Sequence, residues 1–221
     1  MIRGAAFDID GTLLDSTGVW DGLGVRYLAS RGVQAEPGLE ERLFALTLDE
    51  GVAYLREHYG LAQSAGQVRR GISAVLEGFY RKEVRLKPGA GSLVRALRDA
   101  GVRMVLTTAG DPVLGRAALA RLGIWDCFER LLSCDALATT KAEPTIYRMA
   151  ADALGLAPRE VLVVEDTLQA LRCAHEAGFP TCAVEDEASV ADRPAIRGLA
   201  DAYLRDFTGA DKVMEGLGEN R

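Results

Sequence analysis

The strongest constraint on the fold is an alternation, from residue 88 onward, of short apolar runs with segments of helical periodicity. This alternation is typical of βαβ units, in which helices cover both faces of a parallel sheet. A glycine follows each helical segment, as is common just past a helix C-terminus. The predicted strands are 2–7, 102–106, 131–133, 161–164, 181–184 and 202–204. The predicted helices are 91–100, 112–122, 145–154 and 168–177, followed by Gly101, Gly123, Gly155 and Gly178.

Residues 16–87 differ from this part of the chain, because their apolar side chains recur at helical spacing and no segment resembles a strand. The full length of 221 residues also exceeds the size of an ordinary domain, about 150 residues. We therefore predict a doubly wound, Rossmann-like α/β core made of residues 1–14 and 88–221. We predict that residues 15–87 form a helical domain inserted after the first strand of this core.

Composition removes several classes of function. The net charge of −6 disfavours nucleic acid as a partner, because phosphate backbones bind clustered Lys and Arg. The chain contains two histidines and four cysteines without a zinc-site spacing, and it lacks the Gly-x-Ser-x-Gly motif of serine hydrolases. No apolar run has the length of a membrane span, and Asp8 interrupts any signal-peptide pattern. We expect a cytoplasmic monomer or homodimer that binds neither nucleic acid nor membranes.

Asp8 and Asp10 follow the first predicted strand, and Gly11 permits a sharp turn directly after them. The alternation of side chains along a strand lets both carboxylates face the same space at its carboxyl end, where parallel sheets bind ligands. Taken alone, a β-hairpin is an equal alternative, because Asp-Gly is a common type I′ turn. However, the hairpin needs a partner strand, and residues 13–16 resemble the entry to a helix more than a strand. A calcium loop does not fit, because Val19 stands where its bidentate Glu is needed.

Glu165 and Asp166 follow the apolar run 161–164. Two carboxylates at the end of a buried strand are costly unless a cation compensates their charge. As an alternative, Asp166 or Thr167 could cap the helix that follows. Taken with Asp8 and Asp10, the acids are better explained by a Mg²⁺ site, in which water or phosphate completes the oxygen ligands.

Thr107 and Lys141 are further candidates. Thr107 closes the strand 102–106, a position where a β-branched residue is ordinary. A solvated surface position is the commonest fate of a lysine such as Lys141. However, the chain has four lysines among its 26 basic residues, and this scarcity suggests a point-charge role, such as bridging a phosphate and a carboxylate.

In order and spacing, these motifs resemble those of the haloacid dehalogenase superfamily. They are most similar to subfamily I, whose members carry a helical cap and include phosphoglycolate phosphatases and β-phosphoglucomutases. The matching segments are residues 8–16, Thr107, Lys141 with Pro144, and residues 163–167, and residues 87–89 resemble the return from the cap. The chain departs from the family pattern at Ala142, often a proline, and at Ala170, often Gly or Asp. The division of metal binding between Glu165 and Asp166 therefore stays open.

The resemblance implies a Mg²⁺-dependent phosphatase acting on a small phosphorylated metabolite. Asp8 would attack phosphorus to form an aspartyl-phosphate, which water would then hydrolyse. Asp10 would protonate the leaving oxygen and later activate the water. The implied metal ligands are Asp8, Asp10 through its backbone carbonyl, Asp166 and Glu165. The implied phosphate ligands are Thr107, Lys141 and the backbone amides near Gly11 and Thr108.

Other activities fit the sequence less well. A dehalogenase would need neither Asp10 nor the metal-binding acids, and a phosphonatase would need a lysine early in the cap, where none precedes Lys82. A sugar phosphomutase stays open, because it would transfer the same phosphoryl group to a second hydroxyl. A phosphoacceptor receiver domain would carry its phosphorylated Asp in mid-chain, without a helical insertion. A catalytically inactive binding protein would have no need of the four acids together.

Overall fold

The structure, a computed structural model, describes residues 1–210, apart from the side chain of residue 21. The chain forms two compact units, a core made of Met1–Thr17 with the chain from Val84 onward, and a helical unit, Gly18–Glu83. Residues 211–221, the end of the predicted core domain, lie outside the described residues. Among residues 1–210, no helix is both long enough and apolar enough to cross a bilayer.

The helical unit contains four α-helices around an apolar centre in which Tyr27 is fully buried. Two of its helices begin with a capping box, formed by Thr47 with Glu50 and by Ser64 with Gln67. In each box the two residues satisfy each other's free backbone amides. The helices are α1 (Leu23–Ala29), α2 (Leu39–Phe44), α3 (Leu48–His58) and α4 (Ala65–Gly78).

A six-stranded parallel sheet forms the centre of the core and confirms the predicted fold class. The strands of the core are β1 (Gly4–Phe7), β2 (Leu14–Asp15), β3 (Arg85–Leu86), β4 (Arg103–Thr108), β5 (Arg130–Ser133), β6 (Val161–Glu165), β7 (Thr181–Val184) and β8 (Ala202–Leu204). The order in the sheet is β5-β4-β1-β6-β7-β8, while β2 and β3 form a separate antiparallel ribbon. Because β1 lies between β4 and β6, the carboxyl ends of these three strands meet at one edge.

Within residues 1–210, five helices of the core flank the sheet. They are α5 (Ala90–Asp99), α6 (Pro112–Arg121), α7 (Thr145–Leu154), α8 (Leu168–Glu176) and α9 (Arg193–Leu199). The four glycines predicted to follow helices all have positive φ. The predicted strands of the sheet and the four predicted helices agree with these bounds to within two residues, whereas α9 was not predicted.

The loop after β1 differs from the predicted helix entry. Leu14 N donates to Ile9 O at 2.8 Å and Gly11 N donates to Leu14 O at 3.0 Å, so a tight turn directly follows Asp8. This turn is not the type I′ turn of the hairpin alternative, because Gly11 has a positive φ and Asp10 does not, and β2 pairs with β3 rather than with β1. The prediction that residues 16–87 contain no strand is wrong at β3, because a strand of two residues is too short to show alternation.

Candidate active site

The carboxyl ends of β4, β1 and β6 bring together most of the predicted site residues. Asp8 directly follows β1, Thr107 and Thr108 end β4, and Glu165 ends β6. Lys141 reaches the same place from the loop between β5 and α7. Four distant parts of the chain therefore meet at the edge where parallel sheets bind ligands.

Lys141 contacts three of the other predicted residues. Its Nζ donates to Asp8 Oδ1 at 3.0 Å and forms an ion pair with Glu165 Oε1. It also donates to the backbone oxygen and the Oγ1 of Thr107, at 3.1 and 3.3 Å. Only 12% of the side chain is exposed, which excludes the alternative of a solvated surface lysine.

Asp8, Glu165 and Asp166 form what we call the acid cluster. Each offers a carboxylate oxygen, these oxygens lie within 4.8 Å of one another, and all three residues are buried. Three hard oxygen donors around one point are a set that Mg²⁺ prefers. The donor chemistry of the cluster therefore fits a divalent cation.

The cluster holds more negative charge than Lys141 neutralises. Burial, and then the charges of Asp8 and Glu165, raise the pKa of Asp166 well above its ordinary value. Burial likewise raises the pKa of Glu165 to about 7, although Lys141 acts in the opposite direction. For Lys141, burial favours a lower pKa, but the carboxylates of Asp8 and Glu165 raise it above its ordinary value. The ammonium therefore stays charged, and the remaining negative charge favours the uptake of a proton or a cation.

The side chain of Asp10 is not part of the acid cluster. Its Oδ1 accepts a hydrogen bond from Ser16 Oγ at 2.7 Å. Its Oδ2 lies 2.6 Å from the position that a Cβ on Gly110 would take, so this close approach requires glycine. The assignment of Asp10 as a metal ligand stays a prediction and concerns its backbone carbonyl rather than its carboxylate.

Gly11 and Thr12 bring the loop after β1 against Asp166. Gly11 has a φ of 77°, and a Cβ there would lie 2.6 Å from Asp166 Oδ2. Thr12 Oγ1 donates to Asp166 Oδ1 at 3.2 Å. The N-cap residue of α8 is Thr167, one of the two residues of the capping alternative, although its side chain makes no capping hydrogen bond, and Asp166 is not the cap.

The two predicted phosphate-binding threonines are buried and hydrogen-bonded. Thr107 Oγ1 donates to Phe7 O at 3.5 Å and accepts from Lys141. Thr108 Oγ1 accepts from Gly110 N at 2.9 Å. Both residues are thereby fixed beside Asp8 and Asp10, and their roles as phosphate ligands stay predictions.

Tyr147 is a site residue that the sequence analysis missed. Its hydroxyl donates to Glu165 Oε1 at 3.2 Å, and its ring centroid lies 5.7 Å from Lys141 Nζ. The residue is fully buried on α7, where a tyrosine among apolar residues ordinarily indicates core packing. Its position on the first helix after Lys141 is the one signal that could have suggested it. Thr12 and Ser16 lie in the matched segment 8–16, but the sequence analysis assigned no role to their hydroxyls.

A parallel sheet with buried carboxylates and a lysine at its carboxyl edge defines an enzyme of the doubly wound α/β class. The sequence model of the haloacid dehalogenase-like hydrolases matches residues 2–178, and the chain belongs to that family. The predicted family and the predicted class of enzyme, a hydrolase, are thereby confirmed.

Similar proteins extend over nearly the whole chain. Protein CbbY of Cereibacter sphaeroides is 28% identical over 235 residues, which cover 99% of this chain and 94% of that protein. Hexitol phosphatase A of Escherichia coli (strain K12) is 27% identical over 196 residues, which cover 88% of this chain and 87% of that protein. The structure of a HAD family hydrolase from Deinococcus radiodurans R1, with bound phosphate and sodium, matches with a TM-score of 0.74 and 20% identity. That match covers 98% of this chain and 96% of the other, and it shows the likeness of the fold alone.

Proposed function

We propose that the protein is a Mg²⁺-dependent phosphatase that hydrolyses a small phosphate monoester through an aspartyl-phosphate on Asp8. The observation that carries this proposal is the buried acid cluster with Lys141, in a chain that belongs to a hydrolase family. The name of Hexitol phosphatase A supports a phosphoryl group as the group transferred. In this proposal the helical unit serves as the cap, and the cytoplasmic location stays a prediction.

The acid cluster, with the backbone carbonyl of Asp10, would hold Mg²⁺. When bound, the ion supplies positive charge that reduces the repulsion between a carboxylate nucleophile and a phosphate. This repulsion is about 4 kcal/mol for unit charges roughly 4 Å apart at an effective dielectric constant of about 20. Lys141 acts in the same sense, because its Nζ lies 3.0 Å from Asp8 Oδ1 and fixes the orientation of that carboxylate.

Asp8 and Asp10 would divide the two chemical steps. In the first, an Asp8 oxygen bonds to phosphorus, the ester P–O bond breaks, and the leaving oxygen takes a proton from Asp10. In the second, Asp10 takes a proton from water, the water oxygen bonds to phosphorus, and the bond between phosphorus and Asp8 breaks. The hydrogen bond from Ser16 holds Asp10 for both transfers. Thr107, Thr108, Lys141 and the Gly11 amide would hold the phosphoryl oxygens.

A screen for phosphate release from phosphorylated metabolites tests this proposal, run with Mg²⁺ and with EDTA. We expect multiple turnovers that need Mg²⁺ and that Asp8→Asn abolishes. Asp152→Asn makes the same chemical change at an exposed position on α7 and should keep wild-type turnover. Turnover that survives EDTA or Asp8→Asn would refute the mechanism.

Two further readouts separate this activity from its alternatives. Rapid acid quenching with a ³²P-labelled substrate should trap label on the wild-type protein and none on Asp8→Asn. A sugar phosphate that isomerises faster than it releases phosphate would instead identify a phosphomutase. A receiver domain would release about one phosphate per protein, and a binding protein would release none.

A further inference from the structure

A second buried ion pair lies in the core, outside the acid cluster. Lys87 and Asp186 are 7% and 6% exposed, and Lys87 Nζ lies 2.8 Å from Asp186 Oδ2. The same Nζ donates to the backbone oxygen of Glu185 at 2.6 Å. Asp186 Oδ1 accepts from Thr17 Oγ1 at 2.9 Å and from Ala188 N at 3.0 Å. Both charged groups therefore have several partners and a single well-defined geometry.

The need for stability alone does not explain this pair. Replacing a buried ion pair with apolar side chains of similar size is often neutral or stabilising, because desolvation offsets the attraction between the charges. What such a pair provides is a specific arrangement of the segments that it joins. Here those segments are the end of the loop after β1, through Thr17, and the returning chain, through Lys87.

The loop held in this way carries the predicted acid/base. Thr17 is the neighbour of Ser16, whose hydroxyl holds the Asp10 carboxylate at 2.7 Å. The Thr17 Cγ2 atom and Asp166 Oδ2 both lie against Gly11, at 3.2 and 2.6 Å from where its Cβ would stand. Lys87 N also donates to Leu13 O at 2.9 Å, so the returning chain supports the same loop.

We propose that Asp186 is a positioning residue, which holds residues 11–17 through Thr17 and Lys87 and thereby orients Asp10 for proton transfer. This inference rests on the proposed phosphatase function. Asp186 contacts Thr17 and Lys87, and it acts on Asp10 through Thr17 and the neighbouring Ser16. Misplacing a reacting group by about 1 Å can lower a rate by about 100-fold.

Two substitutions test the proposal by different physical routes. Asp186→Asn removes the negative charge and keeps an oxygen acceptor for Thr17. Thr17→Val removes the hydroxyl and keeps the shape of the side chain, and it leaves the charge of Asp186 in place. We expect each to lower kcat by about tenfold to 100-fold and to change KM by less than about threefold. Because both act through one loop, the double variant should lose no more than the worse single variant. If Asp186→Asn fails to fold, Thr17→Val carries the test.

Hydrogen exchange gives a readout that is independent of turnover. In both variants the amides of Gly11 and Leu14, which bond within the loop, should exchange faster while the amides of β6 stay protected. Glu129→Gln disrupts an exposed ion pair with Arg103 at the start of β4 and should change neither kcat nor loop exchange. A wild-type protein that releases no phosphate would refute the proposed function. Unchanged loop exchange, or unchanged kcat in folded variants of an active enzyme, would refute the role of Asp186.

Discussion

Lys141→Met tests the claim that one buried ammonium compensates the acid cluster. The side chain keeps its approximate length and loses its charge, so Asp8 and Glu165 lose their contact with a cation. At 3.0 Å and an effective dielectric constant of about 20, the attraction to Asp8 alone is about 5.5 kcal/mol, part of which offsets the desolvation of the ammonium. Removing one partner of a buried pair typically costs about 3 to 5 kcal/mol. We expect a loss of that size in the free energy of unfolding at pH 8 in EDTA.

The loss should depend on pH and on the metal. Burial already raises the pKa of Glu165 to about 7 in the presence of Lys141. At pH 5 the unpaired carboxylates take up protons, so Lys141→Met should cost less there than at pH 8. Mg²⁺ should stabilise the variant more than the wild type at pH 8, because it supplies the missing charge.

Urea unfolding at both pH values, with EDTA and with Mg²⁺, measures these differences. The matched control is Lys82→Met, which removes an exposed lysine and should change the unfolding free energy by less than about 0.5 kcal/mol. Equal stability of Lys141→Met and wild type at pH 8 in EDTA would refute the idea that Lys141 compensates these carboxylates.

Two further predictions concern the acid cluster, the first its partner Tyr147 and the second its own carboxyl groups. Tyr147→Phe removes a donor to Glu165 and should raise the Kd for Mg²⁺ by about tenfold to 100-fold in calorimetry. The control is Tyr27→Phe, which removes a buried hydroxyl without a hydrogen-bond partner among the described residues and should leave that Kd unchanged. Equal Kd values for the wild type, Tyr147→Phe and Tyr27→Phe would contradict the prediction. The second prediction concerns pH, because the pKa values of Asp166 and Glu165 are raised in the folded protein. The protonated carboxyl groups therefore contribute to the free energy of unfolding at low pH. This contribution is lost as the pH rises through their folded-state pKa values, and the pKa of Glu165 is about 7. The metal-free protein should therefore lose thermal stability from pH 5 to pH 8, and Mg²⁺ binding at pH 6.5 should release protons. Heats of binding that are identical in two buffers of different ionisation enthalpy would show that no proton is released.

The sequence predicted the elements of the core because each carries its own local signal. An apolar run such as residues 161–164 is buried on both faces of a parallel sheet, so it is recognisable without knowledge of its neighbours. The predicted acids were recognisable for a related reason, since charge directly after such a run is costly unless something compensates it. The ribbon β2–β3 has no local signal, because two residues from each segment pair only when the loop after β1 meets the returning chain.

The hydroxyl groups of the site could not be predicted in the same way. Ser16, Thr17 and Tyr147 each donate to a carboxylate distant in sequence or across a turn. A serine or threonine in a loop is ordinary, and a tyrosine on a buried helix face is ordinary core. Their partners are defined only when tertiary structure brings the segments together, so no spacing in the sequence reveals them.

The pair Glu165-Asp166 at the end of β6 and the pair Glu185-Asp186 directly after β7 show where sequence reasoning stops. Both are Glu-Asp pairs that follow apolar runs, and one carboxylate of each pair contacts a buried lysine. The difference lies in the neighbouring strand. β6 lies beside β1, whose end adds the carboxylate of Asp8, so the acid cluster holds an excess of negative charge that a cation can satisfy. β7 lies between β6 and β8. Asp186 after it pairs with Lys87 and accepts hydrogen bonds from the Thr17 hydroxyl and the Ala188 amide, and within residues 1–210 the pair Glu185-Asp186 joins no metal-binding cluster of three acids. The order of strands thus makes one pair a candidate metal site and the other a fixed support for the loop that carries Asp10.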